Sequence, residues 1–170
     1  VNNMCDKAMG GILFIDEAYT LSSENDQYGK EAIDTLMKRM EDDRGKFVVI
    51  AAGYQREMEE FLNVNPGLAS RFTHKMHIED YNEDELLAIF RKMAAKDNYT
   101  LSPAAEFKLM DLIFRKVVSK SDSFGNAREM RNMLDETIQQ LSVRVSALPQ
   151  NEVTQETYQL ILPEDIKDEL

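Results

Sequence analysis

The chain has no tryptophan, one cysteine and four prolines in 170 residues. A lone Cys5 excludes an internal disulfide, so the fold must rest on apolar burial, and a free thiol suits a reducing compartment. Long hydrophobic runs are missing too: none approaches the roughly 20 residues of a membrane span, and no charged-then-apolar signal opens the chain. The expectation is a cytoplasmic protein with no membrane partner. Basic residues are scarce, 20 Lys and Arg against 31 Asp and Glu, and the resulting net charge of -11 argues against nucleic acid as a partner. Also absent is any Gly-x-x-x-x-Gly-Lys-Ser/Thr phosphate loop. His74 and His77 stand three apart, which on a strand puts them on opposite sides and argues against a metal pair.

Two short motifs carry no weight without entry to the secretory pathway. The ending Lys167-Asp168-Glu169-Leu170 spells an endoplasmic-reticulum retention address, and Asn98-Tyr99-Thr100 is a glycosylation sequon. Both read as coincidence in a chain rich in Asp, Glu and Lys.

What is present is organised around residues 10–18, Gly-Gly-Ile-Leu-Phe-Ile-Asp-Glu-Ala. The four apolar residues from Ile12 to Ile15 are too few for a helix and read as a buried strand of a parallel sheet. The strand runs into Asp16 and Glu17, at the carboxyl end where open α/β sheets place their ligands. An Asp there suits Mg²⁺, a hard cation that takes oxygen ligands and keeps part of its water shell, and Glu17 is placed to polarise an attacking water. An ordinary acidic turn is the alternative.

Residues 1–9 read as a helix tail, and a loop at residues 22–27 leads to an amphipathic helix marked by Tyr28, Ala32, Ile33, Leu36, Met37 and Met40. Residues 47–52 form a second buried strand, residues 55–63 a short helix broken at Asn65-Pro66-Gly67, and residues 74–78 a third short strand. After Tyr81 the pattern is helical. Asn82 and Glu85 form a capping box before Leu86, Leu87, Ile89, Phe90, Met93 and Ala94. Ser102-Pro103 opens a second helix with the stripe Phe107, Met110, Ile113, Phe114 and Val117. A third, from about Asn126 to Pro149, carries Met130, Leu134, Ile138, Leu141, Val145 and Leu148; residues 157–162 add a short extended piece. The fold class is therefore α/β followed by all-α, with the boundary near Asp80.

Four stretches in order resemble one family: residues 10–19, residues 48–54 (Val-Val-Ile-Ala-Ala-Gly-Tyr), residues 65–72 (Asn-Pro-Gly-Leu-Ala-Ser-Arg-Phe) and residues 124–132 (Phe-Gly-Asn-Ala-Arg-Glu-Met-Arg-Asn). Together, over roughly residues 1–148, they resemble the AAA+ ATPases of the CbxX/CfxQ type, which include stage V sporulation protein K and the red-type Rubisco activases. The resemblance implies ATP and Mg²⁺ as ligands. It makes Asp16 and Glu17 the Walker B pair, Asp16 holding Mg²⁺ through water and Glu17 activating the attacking water. Arg71 becomes an arginine finger directed at the γ-phosphate held by a neighbouring subunit, and Arg128 the sensor 2 arginine. The plain alternatives are a loop arginine paired with one of many carboxylates for Arg71 and an exposed helix arginine for Arg128. Gly53-Tyr54 stands where many relatives of this class have Thr-Asn, so no sensor 1 residue is assigned.

The resemblance also implies that residues 1–80 are part of a nucleotide-binding α/β subdomain and residues 81–170 its helical lid. The missing phosphate loop would precede residue 1, making the sequence the C-terminal portion of a longer ATPase, inactive alone. The parent would hydrolyse Mg-ATP in a ring, with a hexamer expected, and remodel a protein client. One alternative is a non-catalytic interaction module; a DEAD-type helicase is disfavoured by the acidic balance and by Tyr19 where that motif has Asp.

Overall fold

The computed structural model describes residues 1–22, 27–119 and 124–168, and the chain divides into two units, Val1–Ile78 and Glu79–Leu170. In the first, helix α1 (Asn2–Lys7), strand β1 (Ile12–Ile15), helix α2 (Gln27–Asp42), strand β2 (Val48–Ala51) and helices α3 (Gln55–Val64) and α4 (Pro66–Arg71) follow one another. The expected loop at residues 22–27 falls largely on residues outside those described. β1 and β2 pair in parallel, from Ile12 with Val48 to Ile15 with Ala51, and α2 supplies the crossover that parallel strands require. Gly10 (φ 76°) and Gly45 (φ 79°) turn the chain into β1 and out of α2 in the left-handed region, where a Cβ is strained.

Alternation along β1 places Leu13 inside with Cys5, Ala8 and Leu36, while Ile15 and Ala51 pack towards Ala18, Ile33, Phe61, Leu62 and Leu68. Arg39 ties α1 to α2, bonding Asp6 and Asp43 at 2.7 Å each. Three sequence expectations need correction here. The strands are covered on one face only: Ile12 and Phe14 are each 60% exposed, and Val48 and Ile50 also lie open, because no described element of this unit covers that face. Tyr28, placed on the apolar face of α2 by its spacing, is exposed. Residues 74–78 form no strand. A strand needs a hydrogen-bonding neighbour, the β1–β2 sheet has no third member among the described residues, and Met76 and Ile78 are bare.

The second unit holds α5 (Glu83–Lys96), β3 (Thr100–Leu101), α6 (Pro103–Val118), α7 (Ala127–Ser146), α8 (Gln155–Gln159) and β4 (Leu160–Ile161). The capping box forms, with the Asn82 N–H donating to Glu85 and the Glu85 N–H donating to Asn82, both at 2.9 Å. Ser102 caps α6 by accepting from the Ala105 N–H at 3.2 Å. Leu86, Leu87, Phe90 and Ala94 of α5 meet Met130, Met133, Leu134, Leu141 and Val145 of α7 in one core, closed by Ile161 and Ile166. The short extended piece is the two-residue β4, paired in parallel with β3.

Helix α6 corrects the predicted stripe. It buries Ala105, Leu109, Leu112 and Ile113, whereas Phe107, Met110 and Phe114 are exposed. The C-terminal segment is locked by a charge-assisted pair: Arg144 Nε and a terminal nitrogen donate to the two carboxylate oxygens of Asp165 at 2.7 and 2.9 Å, and the same terminal nitrogen donates to the Leu160 carbonyl. Asp165 is almost fully buried, and its hydrogen bonds hold the Arg144 guanidinium above its ordinary pKa. No described helix is long and apolar enough to cross a membrane.

Candidate active site

The ladder between β1 and β2 breaks at the carboxylates. Ala52 donates its N–H to the Ile15 carbonyl at 2.8 Å, and its carbonyl accepts from Ala18 at 3.0 Å, where a regular parallel ladder would use residue 17. Asp16 and Glu17 therefore oppose the single residue Ala52 in a one-residue bulge. The bulge lifts both carboxylates out of the sheet into solvent and drives Glu17 to φ 48°, a left-handed conformation uncommon for a side chain of this kind. Asp16 Oδ1 accepts the Glu17 N–H at 3.1 Å, which fixes the direction of the first carboxylate.

An aromatic pair packs at the end of β2 next to the bulge. Tyr19, in the 3-10 turn Ala18–Ser22, lies 6.4 Å from Tyr54 between ring centroids. A Cβ on Gly53 would come within 2.8 Å of the Tyr19 ring and 2.9 Å of the Met58 sulfur, so glycine is what lets the ring lie over the end of β2. Burial raises the Tyr19 hydroxyl above the ordinary phenol value, and the charges of Glu17, Tyr54, Glu57 and Asp16 push the same way. It therefore stays protonated beside the carboxylates.

No group of three or more His, Cys, Asp or Glu gathers among the described residues. One carboxylate directed by a backbone N–H is the donor set that suits Mg²⁺, which retains waters and takes its other ligands from phosphates, so Asp16 fits that role.

Arg71 closes α4, a helix that sequence reading missed by taking Asn65-Pro66-Gly67 only as a breaker. Asn65 is in fact its cap, accepting from the Gly67 N–H at 2.8 Å, with Pro66 at the first helical position. One terminal nitrogen of Arg71 donates to the Gly67 carbonyl at 3.2 Å, and the other pairs with Glu41 of α2, also at 3.2 Å. Its buried Nε has no hydrogen-bond partner among the described residues. Asp16 and Glu17 are thus brought together, whereas Arg71 is bonded to Gly67 of α4 and Glu41 of α2. Arg128 belongs to the second unit; it is exposed in the first turn of α7, its N–H donating to the Gly125 carbonyl at 2.9 Å.

An α/β unit whose first strand ends in a carboxylate bulge, followed by a helical unit, matches the expected fold class of α/β followed by all-α. Family comparison agrees: residues 1–80 match the ATPase family associated with various cellular activities (AAA), and residues 82–170 match the AAA lid domain. The chain is 43% identical to stage V sporulation protein K of Bacillus subtilis over 145 residues, covering 84% of this chain and 45% of that protein. It is 44% identical to protein CfxQ of Xanthobacter flavus over 141 residues, 82% of this chain and 44% of the relative. With the chloroplastic ribulose bisphosphate carboxylase/oxygenase activase of Cyanidioschyzon merolae it shares 40% identity over 161 residues, 94% of this chain and 54% of the relative. The chain belongs to the CbxX/CfxQ type of AAA+ ATPases, and it spans about half the length of these relatives.

Proposed function

We propose that the full-length protein binds Mg-ATP, hydrolyses it in a ring of copies, with a hexamer expected, and uses the movement of its lid to remodel a protein client in the cytoplasm. The observation that carries this reading is the bulge that presents Asp16 and Glu17 side by side at the carboxyl end of a parallel strand. Magnesium, when bound, neutralises phosphate charge. Asp16 orients it through water, and Glu17 polarises the attacking water with its exposed carboxylate. Arg71 reaches the γ-phosphate on a neighbouring copy, exchanging its Glu41 pair for phosphate oxygens, and Arg128 contacts the nucleotide from the lid. No phosphate-loop motif lies within these 170 residues, so the complete reaction is assigned to the full-length protein.

The test is Glu17→Gln in the full-length protein. ATP binding should persist while turnover falls by roughly 10²-fold or more, the usual share of a general base; unchanged steady-state hydrolysis would remove Glu17 from the site. Arg71→Ala, mixed with wild type, should depress activity more than in proportion to its share, and a strictly proportional loss would rule out action in trans. The alternative, a non-catalytic interaction module, draws on the bare sheet face of Ile12, Phe14, Val48 and Ile50. Failure of the full-length protein to bind any nucleotide would favour it.

A further inference from the structure

Asn126 stands where a helix cap belongs and does not cap. It is the N-cap residue of α7, yet its side chain makes no bond to the helix. Instead its Oδ1 accepts the Tyr81 N–H at 3.0 Å and its Nδ2 donates to Asp80 Oδ1. The two bonds fix the amide's orientation, because a flipped amide would set NH₂ against N–H and oxygen against a carboxylate. The backbone of Asn126 sits at φ 49°, ψ -120°, a costly place for a residue other than glycine. A favourable cap is thus forgone, and a strained backbone is kept, for a link 45 residues away in sequence.

The partners of that link are specific. Asp80 and Tyr81 lie in the short segment between the end of the first unit at Ile78 and the Asn82 cap of α5. Asn126 lies two residues before Arg128, within the turn closed by the Arg128 N–H to Gly125 bond.

We infer that Asn126 is a positioning residue that couples nucleotide contact at Arg128 to the backbone of the segment that opens the second unit, residues 79–81. The inference rests on the functional reading above, in which Arg128 touches nucleotide. A shift of the α7 start is passed through one side chain to Tyr81 N–H and Asp80. Nucleotide state then sets the conformation of residues 79–81.

The experiment uses the full-length protein, with Kd for a non-hydrolysable ATP analogue and Mg²⁺, residue-resolved hydrogen exchange, and steady-state ATPase kinetics. In wild type, exchange at the Tyr81 amide should change at least fivefold on binding the analogue. Asn126→Gly relieves the backbone strain and removes the link, so it should stay folded with its KM for ATP within about twofold. Its Tyr81 exchange should be fast and insensitive to the analogue, and its kcat about tenfold lower. Asn126→Asp, which sets a second carboxylate against Asp80, should behave likewise. Tight analogue binding with Tyr81 exchange unchanged, or Asn126→Gly with wild-type kcat, overturns the coupling and leaves the ATPase reading intact. No analogue binding at all overturns the ATPase reading, and the coupling falls with it.

Discussion

Gly53 shows how a residue with no side chain shapes the site. Gly53→Ala must displace the Tyr19 ring or the Met58 side chain, since the new Cβ would sit 2.8 and 2.9 Å from them. Overpacking of this kind costs about 1–3 kcal/mol, to be measured by urea unfolding, and the displaced ring should also perturb the adjacent carboxylates. Asp43 gives a pH signature instead. Its carboxyl is held below the ordinary value by hydrogen bonds from Lys46 and then Arg39. A depressed folded-state pKa contributes stability above the unfolded value, about 3.9, and that contribution is lost as pH falls through the folded-state value. Asn at this position removes the linkage, so the gap in urea midpoint between wild type and Asp43→Asn should be full at pH 7 and close on acidification; a gap independent of pH would contradict the assignment. The carboxylate pair was readable from four apolar residues ending in Asp-Glu. The bulge beneath it was not, because it depends on where Ala52 places its two hydrogen bonds. Nor was the Asn126 link, whose partner lies on another segment; the one local sign was Gly-Asn before a helix, where Asn tolerates a positive φ.

Helix α6 separates what spacing can and cannot tell. Residues 105, 109, 112 and 113 and residues 107, 110, 114 and 118 both run at helical spacing, and both are apolar. Spacing finds the helix, and Ser102-Pro103 finds its start, but the choice between faces is made by α5 and α7. Leu109→Ala should therefore cost about 2–5 kcal/mol. Phe107→Ser, on a side chain 79% exposed, should change stability by no more than about 0.5 kcal/mol, and parity between the two variants in urea melts would restore the stripe read from sequence. The same logic explains the strand that failed to form. A capping box or a proline at a helix start is a local signal, and α5 and α6 were legible for that reason. A strand at residues 74–78 requires a neighbour from elsewhere, which no local pattern supplies.

At the scale of the whole chain, apolar burial is divided unevenly. Among the described residues, the second unit gathers fifteen buried apolar residues into one cluster, and Arg144 with Asp165 locks its last segment. The first unit splits its buried residues between two smaller clusters, and Ile12, Phe14, Val48, Ile50, Met76 and Ile78 all lie open. Exposed apolar surface of that extent weakens a fold, because burial is its main favourable term. Residues 79–170 expressed alone should then unfold in a single cooperative transition by circular dichroism. Residues 1–78 alone should melt at lower temperature and bind the dye ANS, with Phe14→Ser together with Ile12→Thr reducing the dye signal. The discriminating result is the dye: if residues 1–78 bind none, the open face is covered in solution by the unit itself, and the half-covered sheet would need to be redrawn.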